Sequence, residues 1–109
     1  MKYIEKNNKK IALIEMNNFK KKLIGLMFKK DKIKEAYFFK NTNGIHTFFM
    51  KQNIDVLYLD KDYKIIKIDS NLKPNKIVLP SKYIKHTIEM PESTSTNFIV
   101  GEILTIKEK

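Results

Sequence analysis

From Ala36 onward the apolar residues recur at every second position, and that period confines most of the chain to β structure. Ala36–Lys40 (AYFFK), Ile45–Met50 (IHTFFM), Ile54–Asp60 (IDVLYLD) and Lys64–Asp69 (KIIKID) are β-branched or aromatic runs separated by turn formers. Tyr83–Met90 alternates as well, with Ile84, His86, Ile88 and Met90 opposite Tyr83, Lys85, Thr87 and Glu89. Upstream, Lys10–Met16 (KIALIEM) predicts a strand with apolar residues on both faces, the pattern of burial on two sides. Asp60-Lys61-Asp62-Tyr63 is the best hairpin turn, because aspartate side chains bond the backbone of their own turn. Tyr63 is awkward there if the turn needs a positive φ. Asn71–Pro80 holds Pro74 and Pro80 and reads as an irregular connection or an edge segment. Pro91–Asn97 suits a short helical turn, and Glu102–Lys107 a closing strand.

One segment breaks the period. Phe19, Leu23, Leu26 and Met27 fall on one helical stripe, with Asn17 or Asn18 available as N-cap and Lys20, Lys21 and Lys22 largely off the stripe. Gly25 inside that helix either permits a close backbone approach or ends it. The expectation is a mainly β fold, a small β-sandwich or barrel with one helix in its N-terminal half packed on it. At 109 residues the chain has enough surface to bury for one core, so residues 1–109 are read as a single domain. There is no cysteine, which excludes disulfides, thiolate zinc sites, iron–sulfur clusters and a cysteine nucleophile. Charges interrupt the N-terminus where a signal peptide needs an apolar run, and Leu23–Phe28, the longest apolar run, is too short to span a bilayer. A cytoplasmic protein is therefore expected. The pattern leaves the oligomeric state open, although exposed strand edges would permit a dimer.

The formal net charge is +10, and all 22 basic residues are lysine. Residues 1–40 carry twelve lysines against four acids, so most of the excess lies there. Lys20, Lys21, Lys22, Lys29, Lys30, Lys32 and Lys34 are the candidate anion-binding residues, for a polyanion or an anionic membrane surface. Without arginine the reading of specific DNA sequence is disfavoured, so nucleic acid is expected only as a nonspecific partner. A solvated, soluble face is the plainer explanation of the same lysines. Lysine-, asparagine- and isoleucine-rich composition also accompanies AT-rich coding.

No P-loop, dinucleotide-binding glycine pattern, G-x-S-x-G elbow or H-E-x-x-H motif is present. What remains is the stretch Gly44–Asp55, in which His46 and Asp55 are the candidate catalytic residues. Asp55 lies between Ile54 and Val56 in a run that reads as buried strand, where a carboxylate needs hydrogen bonds or a cation. Asp55 could orient His46 as a general acid or base. It could equally satisfy His46 structurally, or accept main-chain N–H groups at a bend. A metal site would require His46 and His86 to converge with Asp55 or Glu89, and His86 reads more simply as a core or interface residue. No metal site and no cofactor are expected. The scattered methionines read as core fillers.

Four elements in order resemble a known family, the domain of unknown function 192, also called uncharacterised protein family 0127. Lys22-Leu23-Ile24-Gly25-Leu26-Met27-Phe28-Lys29 is similar to its R-x-x-G-L-M-f-R motif, with lysine at both basic ends. Gly44–Met50 followed by Ile54–Asp60 resembles G-x-H-T-x-x-M-x-x-x-I-D-x-x-F-L-D, Ile88-Glu89-Met90-Pro91 resembles L-E-L-P, and Val100-Gly101-Glu102 resembles the closing V-G-D. The chain departs from the pattern at Asn53, where proline is usual, at Tyr63, where a turn glycine is usual, and near Ser93, where a glycine normally follows L-E-L-P. The resemblance implies a compact, jelly-roll-like β-sandwich with one helix and brings no activity with it. The leading expectation is a non-enzymatic module binding a small ligand or a partner protein. Its surface would be built from Gly25, Leu26, Met27, Gly44, His46, Thr47, Met50 and Asp55. An enzyme using His46 and Asp55, and a nonspecific polyanion binder, are the alternatives.

Overall fold

The structure is a computed structural model that describes residues 2–16, 34–42, 44–46 and 51–108, with the backbone alone at residues 45 and 46. The chain opens with a hairpin of β1 (Lys2–Lys6) and β2 (Lys9–Glu15), in which Ile4 faces Ile11 and Lys6 faces Lys9. Asn7 and Asn8 make its turn at φ 53° and 64°. Two consecutive left-handed residues are what a two-residue hairpin turn needs to match strand twist, and asparagine tolerates that region better than most side chains. The sequence reading places no strand before Lys10; the Asn7-Asn8 pair is the signal for it. Within β2, Leu13 is buried while Ile14 is 39% exposed, so this strand is not covered on both sides.

β3 (Ala36–Phe39), β5 (Ile54–Leu59), β6 (Ile65–Leu72), β8 (His86–Pro91) and β9 (Lys107–Glu108) join β1 and β2 in one open seven-stranded sheet. Its order is β6-β5-β8-β3-β2-β1-β9, and it is mixed because β2 and β3 run parallel while the other pairs are antiparallel. A second, two-stranded ribbon pairs β4 (Ile45–His46) with β7 (Ile77–Val78). The expectation of a mainly β fold holds in this form. Among the described residues there is no α-helix, and the helix expected over Phe19–Met27 lies outside them. A 3-10 turn, Thr94–Asn97, stands where the short helical turn is expected.

All six residues of β5 are buried. Flanked by β6 and β8, the strand sends Leu57 and Leu59 to one face, against Phe38, Ile88 and Met90, and Ile54, Val56 and Tyr58 to the other, beside Tyr37 and Phe39. Burial on both faces explains why this stretch is so nearly continuous in apolar residues. The first face is completed from the C-terminal segment by Phe98 and Leu104. That segment meets both ends of the strand order. It bonds Ile65 through Gly101 and Glu102 and bridges Lys64 at Ile103, then enters β9 beside β1. Lys6 Nζ, 2.6 Å from Glu102 Oε2, ties the two ends across it.

Two departures from the family pattern have a backbone meaning. Tyr63 has φ 62° and Ser93 has φ 73°, the left-handed region that glycine occupies without a Cβ penalty. Tyr63 is held there by its ring, which stacks on His86 at 4.8 Å and 13° with Phe38 tilted against both. His86 Nδ1 accepts the Asn41 N–H at 3.0 Å. Burial, followed by the charge of Lys40, holds the His86 pKa below its ordinary value against the pull of Asp60. His86 is thus a neutral core residue.

The alternation of β8 hides a cost. Thr87 and Glu89 oppose the face of His86, Ile88 and Met90, yet both are buried. Glu89 sits between Tyr37 of β3 and Val56 of β5, and burial pushes its pKa up to about 8. The Thr87 hydroxyl has no hydrogen-bond partner among the described residues.

Glu89 stays protonated in the folded chain at pH values where the unfolded chain ionises it from its ordinary 4.5. The unfolded state then binds fewer protons, so the Glu89 contribution to stability declines as pH rises from about 4.5 to about 8. Urea unfolding across that interval is expected to show a steeper decline for the wild type than for Glu89→Gln; equal slopes refute the assignment. Replacing Ser93 by Gly is expected to raise stability by up to about 1 kcal/mol, by relieving the left-handed strain. Tyr63→Gly relieves the same strain but lowers the melting temperature, because the stack on His86 is lost.

Candidate functional site

Asp55 is the one charged residue of β5, and it is fully buried. The register of β5 and β6 slips there: Ile54 faces Leu72 and Val56 faces Asp69, leaving Ser70 and Asn71 opposite a single residue. This bulge, with Asn71 at φ 57°, turns the Asn71 N–H onto Asp55 Oδ1 at 2.8 Å. From the other side the 3-10 turn presents the Ser95 N–H to Oδ2, also at 2.8 Å. Ser70 and Ser95 share a hydroxyl hydrogen bond of 2.8 Å, which completes the clasp. Burial works to raise the Asp55 pKa, but the amides of Asn71, Ser95 and Ser93 and the Ser95 hydroxyl outweigh it and hold the carboxyl below its ordinary value. Of the roles open to Asp55, acceptance of main-chain N–H groups at a bend is the one these contacts describe.

His46 is described by its backbone, which pairs with Ile77 in the β4–β7 ribbon. Its side chain lies outside the described residues. So do Thr47, Met50, Gly25, Leu26, Met27 and six of the seven candidate anion-binding lysines, Lys20, Lys21, Lys22, Lys29, Lys30 and Lys32. Lys34 is described and exposed. His86 and Glu89, offered as metal ligands, point to opposite faces of β8. No group of three His, Asp or Glu side chains suited to a metal ion occurs among the described residues.

At Gly44 a side chain would crowd its neighbours. A Cβ there would meet the Val78 carbonyl oxygen at 3.0 Å and Pro80 at 3.1 Å, so the β4 segment and the 78–80 segment pack backbone against backbone. Val78 and Leu79 in turn form one wall of an open cleft of about 730 Å³. Across from them stands the β5–β6 hairpin, where a second slip leaves Ile66 unpaired between Ile65 and Lys67 and brings both Ile66 and Lys67 to the cleft. Lys61, Lys64 and Lys67 come from the hairpin, and Lys82 and Lys85 from the opposite loop. Among the described residues Asp60 is the cleft's one carboxylate, and its Oδ1 accepts the turn amides of Asp62 at 2.8 Å and Lys64 at 3.0 Å. The Lys64 amide, against the opposing effect of burial, keeps its pKa low.

These five lysines are not the ones the charge count singles out. They belong to residues 41–109, where ten lysines nearly balance eight acids. The balance is only arithmetical, because Asp55 and Glu89 are buried and Glu102 is paired with Lys6. A usable signal existed in the lysines that recur within the hairpin Asp60–Lys67 and the loop Ser81–Lys85.

Asp55→Asn keeps the shape but turns an amide donor toward a main-chain N–H. It is expected to cost about 2–4 kcal/mol in urea unfolding at neutral pH. Because the folded pKa is depressed, the wild-type advantage is present above the ordinary carboxylate pKa and disappears as pH falls through the folded one. An advantage that persists unchanged into strong acid contradicts this account.

Comparison with known proteins agrees with the fold and its motifs. The model of the DUF192 family, described as an uncharacterized ACR, matches residues 2–105. A UPF0127 protein of Pyrococcus horikoshii is 33% identical over 79 residues, which cover 69% of this chain and 68% of that protein. The crystal structure of a protein of unknown function from Novosphingobium aromaticivorans superposes with a TM-score of 0.76 at 13% identity, covering 98% of this chain and 83% of that one. A structure from Sinorhizobium meliloti gives 0.75 at 14% identity, with 97% and 90% covered. These two establish a shared fold. With the family match spanning nearly the whole chain, the protein belongs to the DUF192 family, the uncharacterised family 0127.

Proposed function

We propose that this domain is a non-enzymatic binding module whose ligand or partner surface centres on the β4–β7 ribbon and the cleft beside it. The surface expected from the sequence comprises Gly25, Leu26, Met27, Gly44, His46, Thr47, Met50 and Asp55; of these, Gly44 lies against the 78–80 segment and Asp55 braces the sheet. In this reading the helix over Phe19–Met27 packs on the sheet as the family resemblance implies. The observation that supports it is the open cleft of about 730 Å³ walled by Val78 and Leu79, in the size range of small-molecule sites. Asp55, the natural partner for an acid–base histidine, has both oxygens engaged by main-chain amides. The polyanion reading gains from the same cleft, because five lysines line it.

Amide NMR of the labelled protein, titrated with a panel of small organic anions and short synthetic peptides, tests the proposal. Shift changes should gather at β4, β7 and residues 78–85, and Gly44→Ala should weaken them by displacing the 78–80 wall. Turnover of a panel compound that vanishes in both His46→Asn and a folded Asp55 variant would replace this reading with the enzymatic one.

A further inference from the structure

The two rims of the cleft carry the same charge while its floor is apolar. Ile66, Val78 and Ile84 line the bottom, Lys61, Lys64 and Lys67 stand on the hairpin side, and Lys82 and Lys85 on the loop side. Among the described residues no carboxylate lies within ion-pair distance of Lys61, Lys64, Lys82 or Lys85. Lys67 rests over the Tyr58 ring at 5.1 Å and 3.7 Å from Asp69, and Lys82 over the Tyr83 ring at 5.2 Å. The apolar surface does not stop at the rim. Leu79 is 75% exposed, Tyr83 65% and Ile77 61%, so it continues along the 77–83 segment onto the ribbon. Large apolar groups exposed along one segment beside an apolar cleft suit an interaction surface.

We infer that the cleft receives an extended acidic segment of a partner protein, in which Asp or Glu side chains alternate with apolar ones. The inference rests on the binding-module reading and deepens it. In an extended chain successive side chains point to opposite sides, so apolar residues can enter the floor while carboxylates reach lysines on the rims. Charge complementarity chooses the sign of the occupant. The concavity favours an inserted chain over a bilayer, which meets protruding surfaces. The apolar floor and the extension past the rim distinguish this occupant from a bare polyanion, which uses lysines alone.

The test is fluorescence anisotropy of the full chain with a short, capped, labelled peptide alternating Glu and Val. Saturable binding that weakens as salt rises is expected. Lys64→Glu and Lys82→Glu, both at exposed side chains, should each weaken it by about tenfold. Leu79→Ser should weaken it as well while leaving the salt dependence unchanged, and the doubly reversed protein should bind the corresponding Lys–Val peptide instead. No peptide binding, or binding indifferent to these substitutions, overturns the inference. It is likewise overturned if tripolyphosphate, a DNA oligonucleotide or phosphatidylserine vesicles bind in a Lys64- and Lys82-dependent way while the peptide does not. In each of those failures, a ligand whose NMR shifts still gather at β4 and β7 leaves the binding-module reading standing, whereas no ligand there removes both.

Discussion

A carboxylate removed from water stays ionised only where donors surround it, and three separate pieces of chain meet to arrange this around Asp55. The β5 strand provides the acid, the bulge of β6 one amide and the 3-10 turn the other. None of the three has this shape on its own account. Asn71 and Ser93 both hold left-handed backbone that costs energy in isolation, and each is compensated by the N–H it turns toward the same carboxylate. The bulge places Ser70 against Ser95, and the turn leads into Phe98, which closes the core over Leu57 and Met90. Position and charge of one side chain therefore fix how the edge of the sheet meets its C-terminal cover.

Much of this was legible in advance. Short β-branched and aromatic runs bounded by turn formers located β3, β5, β6 and β8 to within a few residues, because a strand must be apolar on whichever of its faces is covered. Asp55 stood out for the same reason, as a polar residue at a position the pattern demands be apolar. What was not legible depended on contacts between distant segments. The β1–β2 hairpin turns on two asparagines whose left-handed geometry leaves little trace in hydropathy. Thr87 and Glu89 read as the polar face of an alternating strand, and only the neighbouring strands decide that this face is also covered.

The cleft illustrates a more general limit on charge counting. Net charge sums over all residues, whereas a surface field depends on which of them reach water. Burial of Asp55 and Glu89 and the pairing of Glu102 take acids out of the C-terminal balance, while the lysines of the hairpin and the 81–85 loop stay exposed. A nearly neutral stretch of sequence thereby builds a basic site. Of the seven candidate anion-binding lysines in the first 40 residues, more conspicuous on paper, Lys34 alone falls among the described residues, as an exposed side chain.

The segment from Phe98 to Glu108 has a further consequence, in the order of folding events. Its contacts, to Ile65 at one end of the sheet and to Lys2 and Tyr3 at the other, all join parts of the chain far apart in sequence. Loop-closure entropy makes such contacts the last to be rewarded, so the β1–β2 hairpin can form early while the closing segment arrives late. Until it does, the outer strands β6 and β1 present unpaired backbone with apolar residues beside it. The stretch that completes the native sheet is thus also the one whose delay leaves the chain open to pairing with its neighbours.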